Sequence, residues 1–340
     1  MLLTEVPHPL FVQMLRASDA DLMQYPLQQL EQQLAQADTF QQEGLWTDEM
    51  MAYIHDAGVE NYVHLHWAAE QYYAERLKAE LPPPQMDYYY LVGYARIVAL
   101  VLQYHDNMGY DHNDFYFVRG FLRHQFPDDK SIKILEIGAG SGKLLRDLAN
   151  EGYRNVEGME MAPAALVEAR ANVRDVLGEE AIYPLSFIDY HRRYPERQYD
   201  VLIHAHLIEH IPPDQAQGFL QSCHQSLRPG GHMIIITPSR LTGPHDVTRY
   251  FRPPGSPSEG FHLKEYSLND LADALTQAGF GNFATVRSQP SLNYWWNSVP
   301  TEADFQYKRE MENFLLSIAW EQRKPIVDGM YYVGMVCQRL

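Results

Sequence analysis

Between Ile134 and Leu144 the chain reads Ile-Leu-Glu-Ile-Gly-Ala-Gly-Ser-Gly-Lys-Leu: an apolar run, three alternating glycines, and the opening of an amphipathic stretch. A short strand that runs into a glycine turn and out into a helix aims backbone N–H groups and the helix N-terminus at whatever lies at the strand's carboxyl end. Glycine is needed there because a side chain would block close approach or forbid the turn. The segment is one unit of a longer alternation that begins after Pro127-Asp128-Asp129. Strands are expected at Ile132–Ile137, Val156–Glu160, Leu185–Ile188, Asp200–Ala205, His232–Thr237, Phe283–Ser288 and Tyr331–Gln338. Helices are expected at Gly142–Asn150, Ala164–Val176, Pro213–Leu227 and Ser267–Ala278, the last opening on Ser-x-x-Asp and closing at Gly279. Short β-branched runs alternating with amphipathic helices specify an α/β fold with a doubly wound, mostly parallel seven-stranded sheet of Rossmann-like type.

Upstream of residue 128 the pattern is different. Asp19–Gln42, Val59–Leu81 and Met86–Tyr104 repeat apolar residues at helical spacing, with Pro82-Pro83-Pro84 separating the last two. Residues 1–128 are therefore expected to form an N-terminal all-helical domain, serving as a cap, a substrate-binding unit or a dimerisation unit. Residues 129–340 would form the ligand-binding domain. Within it, 290–329 is long for a connection between paired strands and reads as a lid insertion, with Tyr294-Trp295-Trp296 and a helix over Ala303–Trp320. The front end is rich in aromatics, among them Tyr72-Tyr73, Tyr88-Tyr89-Tyr90, Tyr94 and Phe115-Tyr116-Phe117. Such rings pack helices together while their polar tips reach a pocket or a partner, so a homodimer is compatible with them.

Charge and cysteine usage narrow the function. There are 27 Lys+Arg against 44 Asp+Glu, a formal charge of −17 that would repel a phosphate backbone. No nucleic-acid partner is expected. Cys223 and Cys337 are too few for a disulfide framework and lack zinc-site spacing, which fits a reducing, cytoplasmic setting. No run of about 18 apolar residues suggests a membrane span.

The glycine turn gains meaning from Glu160, twenty residues after Gly140 at the end of the next expected strand. A carboxylate there can accept hydrogen bonds from both hydroxyls of a ribose. The spacing G-x-G-x-G, with Glu136 just before it, departs from the dinucleotide fingerprint G-x-G-x-x-G. At these residues the chain resembles the class I S-adenosylmethionine-dependent methyltransferases, in particular the small-molecule branch found in quinone, sugar and natural-product pathways. Glu136-Ile137-Gly138-Ala139-Gly140-Ser141-Gly142 is similar to that family's first motif, and Glu160-Met161 to the acidic end of its second strand. Phe187-Ile188-Asp189-Tyr190 resembles the segment that holds the adenine. Asp200 to His210 resembles the fourth strand with its Glu209-His210, and Leu227-Arg228-Pro229-Gly230-Gly231 the turn into the fifth.

The resemblance implies S-adenosylmethionine as cofactor, S-adenosylhomocysteine as product, and a small-molecule acceptor. It implies that Gly138, Gly140 and Gly142 cradle the methionine part and that Glu136 fixes its amino group. Glu160 would bind the ribose, Met161 would pack on the adenine, Asp189 and Tyr190 would complete the adenine site, and the backbone at His204 would approach the sulfonium. It does not choose an acceptor, because one fold serves many substrates.

Methyl transfer from a sulfonium asks for alignment, desolvation and, at a hydroxyl, removal of a proton. Candidate bases are His206, His210 and His245, since ligands in open α/β sheets bind at the carboxyl ends of strands. The loop from Ser239 to Ser267 carries Arg240, Arg249, Arg252 and Lys264 against Asp246, Glu259 and Glu265, a mild positive bias in an acidic chain. Arg249, Arg252, Tyr250 and His262 are thus candidate substrate contacts for an anionic hydroxylated acceptor, which would favour O-methylation. The same arginines would serve equally as ordinary partners for the acidic majority. His64 with His66, His105-Asp106 and Asp111-His112-Asn113-Asp114 group metal-ligand types, but with no recognised spacing among fifteen histidines no metal is expected. Two other readings share the fold: non-methylating chemistry such as aminopropyl transfer, and a cofactor-binding regulatory module.

Overall fold

The computed structural model describes residues 62–79, 90, 93, 94, 97, 112–286, 302–327 and 332–340. The expected helix Asp19–Gln42, most of Met86–Tyr104, the Tyr294-Trp295-Trp296 cluster and His105-Asp106-to-Asp111 lie outside them, as do the side chains of His64, His66, His112 and Asn113.

Seven strands form one sheet: β1 (Ile134–Ile137), β2 (Val156–Met159), β3 (Ile182–Tyr183), β4 (Tyr199–Ala205), β5 (Leu227–Pro238), β6 (Phe280–Val286) and β7 (Tyr332–Arg339). Their spatial order is β3-β2-β1-β4-β5-β7-β6. All pairings from β3 to β5 are parallel, while β7 runs antiparallel to both β5 and β6. Strand order reverses between β1 and β4, and the carboxyl ends of strands at such a reversal leave a crevice where ligands bind.

Helices cover both faces. In chain order they are α1 (Tyr62–Lys78), α2 (His112–Gln125), α3 (Lys143–Asn150), α4 (Pro163–Val173), α5 (Phe187–Arg193), α6 (Pro213–Ser226), α7 (Leu268–Gln277), α8 (Glu302–Ser317) and α9 (Trp320–Val327). Successive strand residues point to opposite faces, and the two cores follow that alternation. Leu135, Leu202, Met233 and Ile235 pack with Phe219, Leu220 and Cys223 of α6 and Leu271 and Leu275 of α7. Ile134, Val201, Ile203, Ile234 and Ile236 pack on the other side with Leu144, Leu145 and Leu148 of α3 and Leu166, Ala169 and Val173 of α4.

Several features differ from the sequence expectation. The segment Leu185–Ile188 is no strand: the third strand is only Ile182–Tyr183, and α5 begins at Phe187. Ser186 accepts from the Asp189 backbone N–H at 3.2 Å and so supplies an N-cap, a local signal that outweighs the β propensity of Leu-Ser-Phe-Ile. Helix α2 lies before the boundary placed at residue 128, yet Phe117, Val118, Phe121 and Leu122 belong to the same core as β1 and β4. Finally, the described part of the insertion holds two helices where one was expected. Glu312 of α8 accepts from the Leu268 and Asn269 N–H groups at 2.7 and 2.9 Å, adding to the capping box that Ser267 and Asp270 make at the same end of α7.

Candidate functional site

The turn after β1 is fastened to β2, since the Ala139 N–H donates to the Met159 carbonyl at 2.7 Å. Gly138, at φ 74°, lines a pocket, and a Cβ added there would sit in a left-handed backbone 3.3 Å from Leu207 Cδ1, another lining residue. Gly142 serves a different purpose. Its φ is 70°, and a Cβ added to it would stand 2.9 Å from the Ala169 Cα and carbonyl oxygen, so it lets α3 cross closely over α4. Gly140 spends its N–H on Glu160 Oε2 at 2.9 Å, and the Ala162 N–H donates to Glu160 Oε1 at 2.7 Å.

Glu160 therefore stands just after β2 with both oxygens held by backbone N–H donors, and it helps to line the pocket. Burial pushes its carboxyl up to about 7 in spite of the backbone donors. Glu136, on β1, is 4% exposed and its Oε2 has no hydrogen-bond partner among the described residues. Burial raises its carboxyl well above the usual range, and the charges of Asp114 and Glu160 raise it further.

Met161 lines the pocket, and the neighbouring segment does so with Leu185, Ser186, Phe187 and Ile188, while Asp189 and Tyr190 are not among the lining residues. The helix explains the difference. Asp189 turns back to the Ser186 hydroxyl at 2.8 Å, and Tyr190 points into the sheet, where its hydroxyl meets those of Tyr199 and the Arg197 guanidinium. His204 is fully buried against Phe219, with ring centroids 5.6 Å apart, and neither ring nitrogen has a hydrogen-bond partner among the described residues. Burial lowers its pKa to about 4, so the ring is neutral.

The candidate bases separate clearly. His206 carries a φ of 54°, and its Nε2 lies 3.1 Å from Asp114 Oδ2 on α2. Burial presses its pKa down, but the hydrogen bond and charge of Asp114 more than offset this. His245 directs Nε2 at the Ser239 carbonyl, 3.1 Å away, and at the Thr242 hydroxyl, so this nitrogen is a donor tied to the backbone. Burial holds its pKa below the ordinary value. His210 places Nδ1 3.0 Å from the Phe261 carbonyl, and His262 places Nδ1 2.9 Å from Glu265 Oε1. Burial lowers the first of these, whereas in His262 the Glu265 hydrogen bond and nearby carboxylates overcome burial and carry the pKa to about 9.

Residues 110–285 match the family model described as "Methyltransferase domain". The chain belongs to the methyltransferase-domain family. A ubiquinone biosynthesis O-methyltransferase from Cronobacter sakazakii is 29% identical over 140 residues, covering 36% of this chain and 56% of that protein. A probable S-adenosylmethionine-dependent methyltransferase from Mycolicibacterium smegmatis is 33% identical over 151 residues, covering 43% and 51%. The chain spans about half the length of these curated relatives. Among solved structures, a SAM-dependent methyltransferase from Archaeoglobus fulgidus superposes with a TM-score of 0.44 at 17% identity over 66% of this chain and 94% of that one, too loosely to argue from.

In this methyltransferase domain the loop arginines do not face the main pocket. Arg252 forks onto both oxygens of Glu259, each at 3.0 Å, and Arg249 and Arg252 line a separate cavity with Trp320 and Lys324 of α9. Tyr250 closes the short helical turn Val247–Tyr250, and nothing is described of its side chain. Tyr90 and Tyr94 of the aromatic front end line the pocket, as do Leu207, Ile211 and Phe219, which the sequence did not single out. Asp114 and Glu70 could not be found from sequence. Asp114 meets His206 across 92 positions, and Glu70 Oε2 accepts from the Phe261 N–H at 2.9 Å across 191.

Proposed function

We propose that the chain transfers a methyl group from S-adenosylmethionine to an oxygen of a small hydroxylated acceptor. The observation that carries the reading is Glu160: a buried carboxylate just after β2, both oxygens oriented by N–H groups of Gly140 in the glycine turn and of Ala162 just before α4, lining a pocket together with Gly138. Such a group suits a ribose, whose two hydroxyls donate to its remaining lone pairs. Met161, Leu185 and Phe187 offer an apolar wall for the adenine, and the unpartnered Glu136 Oε2 answers an ammonium group near the turn. Bound there, S-adenosylmethionine supplies a methyl group already activated on a sulfonium.

The protein's part is then to orient the acceptor and exclude water. Tyr90, Tyr94, Leu207 and Ile211 close the pocket on the side of the strand reversal. His206, its Nε2 held by Asp114, is the histidine we place against the acceptor hydroxyl, ahead of His245, whose Nε2 is committed to the backbone. In this reading residues 1–128 cap the cleft, which the presence of Tyr90 and Tyr94 in its lining supports.

Calorimetric titration with S-adenosylmethionine and S-adenosylhomocysteine tests the reading. Binding by the folded wild type, lost in Glu160→Ala and Gly138→Val, is expected; no binding by the wild type would remove it. A screen of hydroxylated acceptors with labelled methyl donor follows. There His206→Ala and Asp114→Asn should lower turnover with cofactor affinity unchanged.

A further inference from the structure

At the acceptor side of the pocket, the turn Ile208–His210 after β4 meets the loop after β5. Glu209, His210 and His262 each bring one ligand-type atom to within 4.8 Å of the other two. We propose that these three residues bind a single divalent first-row transition-metal cation.

The hydrogen bonds around the cluster leave the right atoms facing inward. The Phe261 carbonyl and the Glu265 carboxylate can only accept, so the Nδ1 atoms of His210 and His262 carry their protons and donate to them. Each Nε2 is then the nitrogen left for a cation: that of His210 through its lone pair, and that of His262 once the cation displaces the proton its carboxylate neighbours hold there. A carbonyl or carboxylate behind the far nitrogen is also the arrangement that fixes the tautomer and raises the basicity of metal-bound histidines. Glu209 is held in the same manner: the Thr237 hydroxyl donates to Oε2 at 2.9 Å, while Oε1 has no hydrogen-bond partner among the described residues.

Glu209 is fully buried, and an unpartnered carboxylate oxygen in such a place is costly unless a cation or donor meets it. Two imidazoles and one carboxylate suit zinc, iron, manganese or nickel better than the all-oxygen demands of calcium or magnesium. The site is also rigid, since the Lys264 N–H donates to the Glu209 carbonyl and Glu70 holds the Phe261 N–H.

Position gives the site a purpose. The Tyr94 ring lines the cofactor pocket and lies 6.1 Å, centroid to centroid, from the His210 ring. A cation here would sit on the acceptor side and offer its open positions to an acceptor oxygen. That role rests on the methyl-transfer reading; the binding of the cation does not.

The full chain, stripped with chelator and dialysed, would be titrated with Zn²⁺ and with Mn²⁺ alone by calorimetry, with elemental analysis of the bound fraction. One equivalent is expected. Glu265→Gln, which leaves the three ligands in place, should weaken binding roughly 10- to 100-fold, and His262→Ala more. Because the variants could lose the loop's structure, the wild type loaded with Co²⁺ gives a second readout. Its proton spectrum should show two strongly shifted, exchangeable imidazole N–H signals, from His210 and His262. Less than a tenth of an equivalent bound by the folded wild type, equal affinity in His262→Ala, or no shifted signals would overturn the proposal. Titration of the same stripped protein with S-adenosylhomocysteine separates the two claims: metal bound without cofactor removes only the methyl-transfer reading, and cofactor bound without metal removes only the cation site.

Discussion

Glu160 is the residue at which burial and recognition conflict most visibly. Its carboxyl rises from an ordinary 4.5 to about 7 because burial disfavours the charged form. The sign for stability follows. A raised carboxyl contributes to folding below its unfolded value and loses that contribution as pH rises through 7, so at neutral pH the buried carboxylate weighs against the fold. Two ribose hydroxyls donating to it would relieve that cost. Cofactor affinity should then be flat above pH 8 and fall below pH 7, approaching about tenfold per unit. Calorimetry from pH 6 to 8 checks this, and Glu160→Gln should bind weakly with no such slope. The place of Glu160 beside the glycine turn was legible in the sequence because it depends on a glycine turn and a spacing of twenty. The pairing of Asp114 with His206 was not, because only packing of α2 on the sheet brings them together.

Among elements, α5 shows how a local cap decides between structures that share a composition. Leu185 to Ile188 has the apolar, branched character of a strand, and the strand reading gave it that role. Ser186-x-x-Asp189 is equally a helix start, and the cap prevails because β3 needs only two residues to pair with β2. The outcome moves the pocket wall from Asp189 and Tyr190 to Ser186, Phe187 and Ile188. Ser186→Ala should cost about 1 kcal/mol of stability by denaturant midpoint, and it should weaken cofactor binding several-fold because the capped turn is itself part of the wall. The other strands were read to within a few residues, since each is a short, almost continuously buried apolar run, a signal that survives without tertiary information. Strand β5 was cut short because Leu227 to Gly231 reads as a turn, yet the structure extends it through them.

On the scale of the whole molecule, the residues matched by the family model begin at 110, yet the site does not stop there. Trp67 stacks on Phe251 with centroids 4.8 Å apart, and Glu70 holds the Phe261 backbone next to His262. Helix α1 thus braces the loop that closes the acceptor side. Glu70→Ala leaves the Phe261 N–H without its acceptor, and it should speed proteolysis within 239–267 and reduce turnover while cofactor affinity stays near that of the wild type. The charge of −17 agrees with a cleft that recognises its ligands by fixed carboxylates and aromatic walls more than by a basic surface. Strand β7 sits between β5 and β6 although both precede it in sequence, and its Met335, Val336 and Cys337 are buried. A growing polypeptide therefore carries the long edge of β5 unpaired until residues 332–339 have left the ribosome, and during that interval the apolar run Met233 to Ile236 depends on chaperones or on speed to avoid pairing with a neighbour.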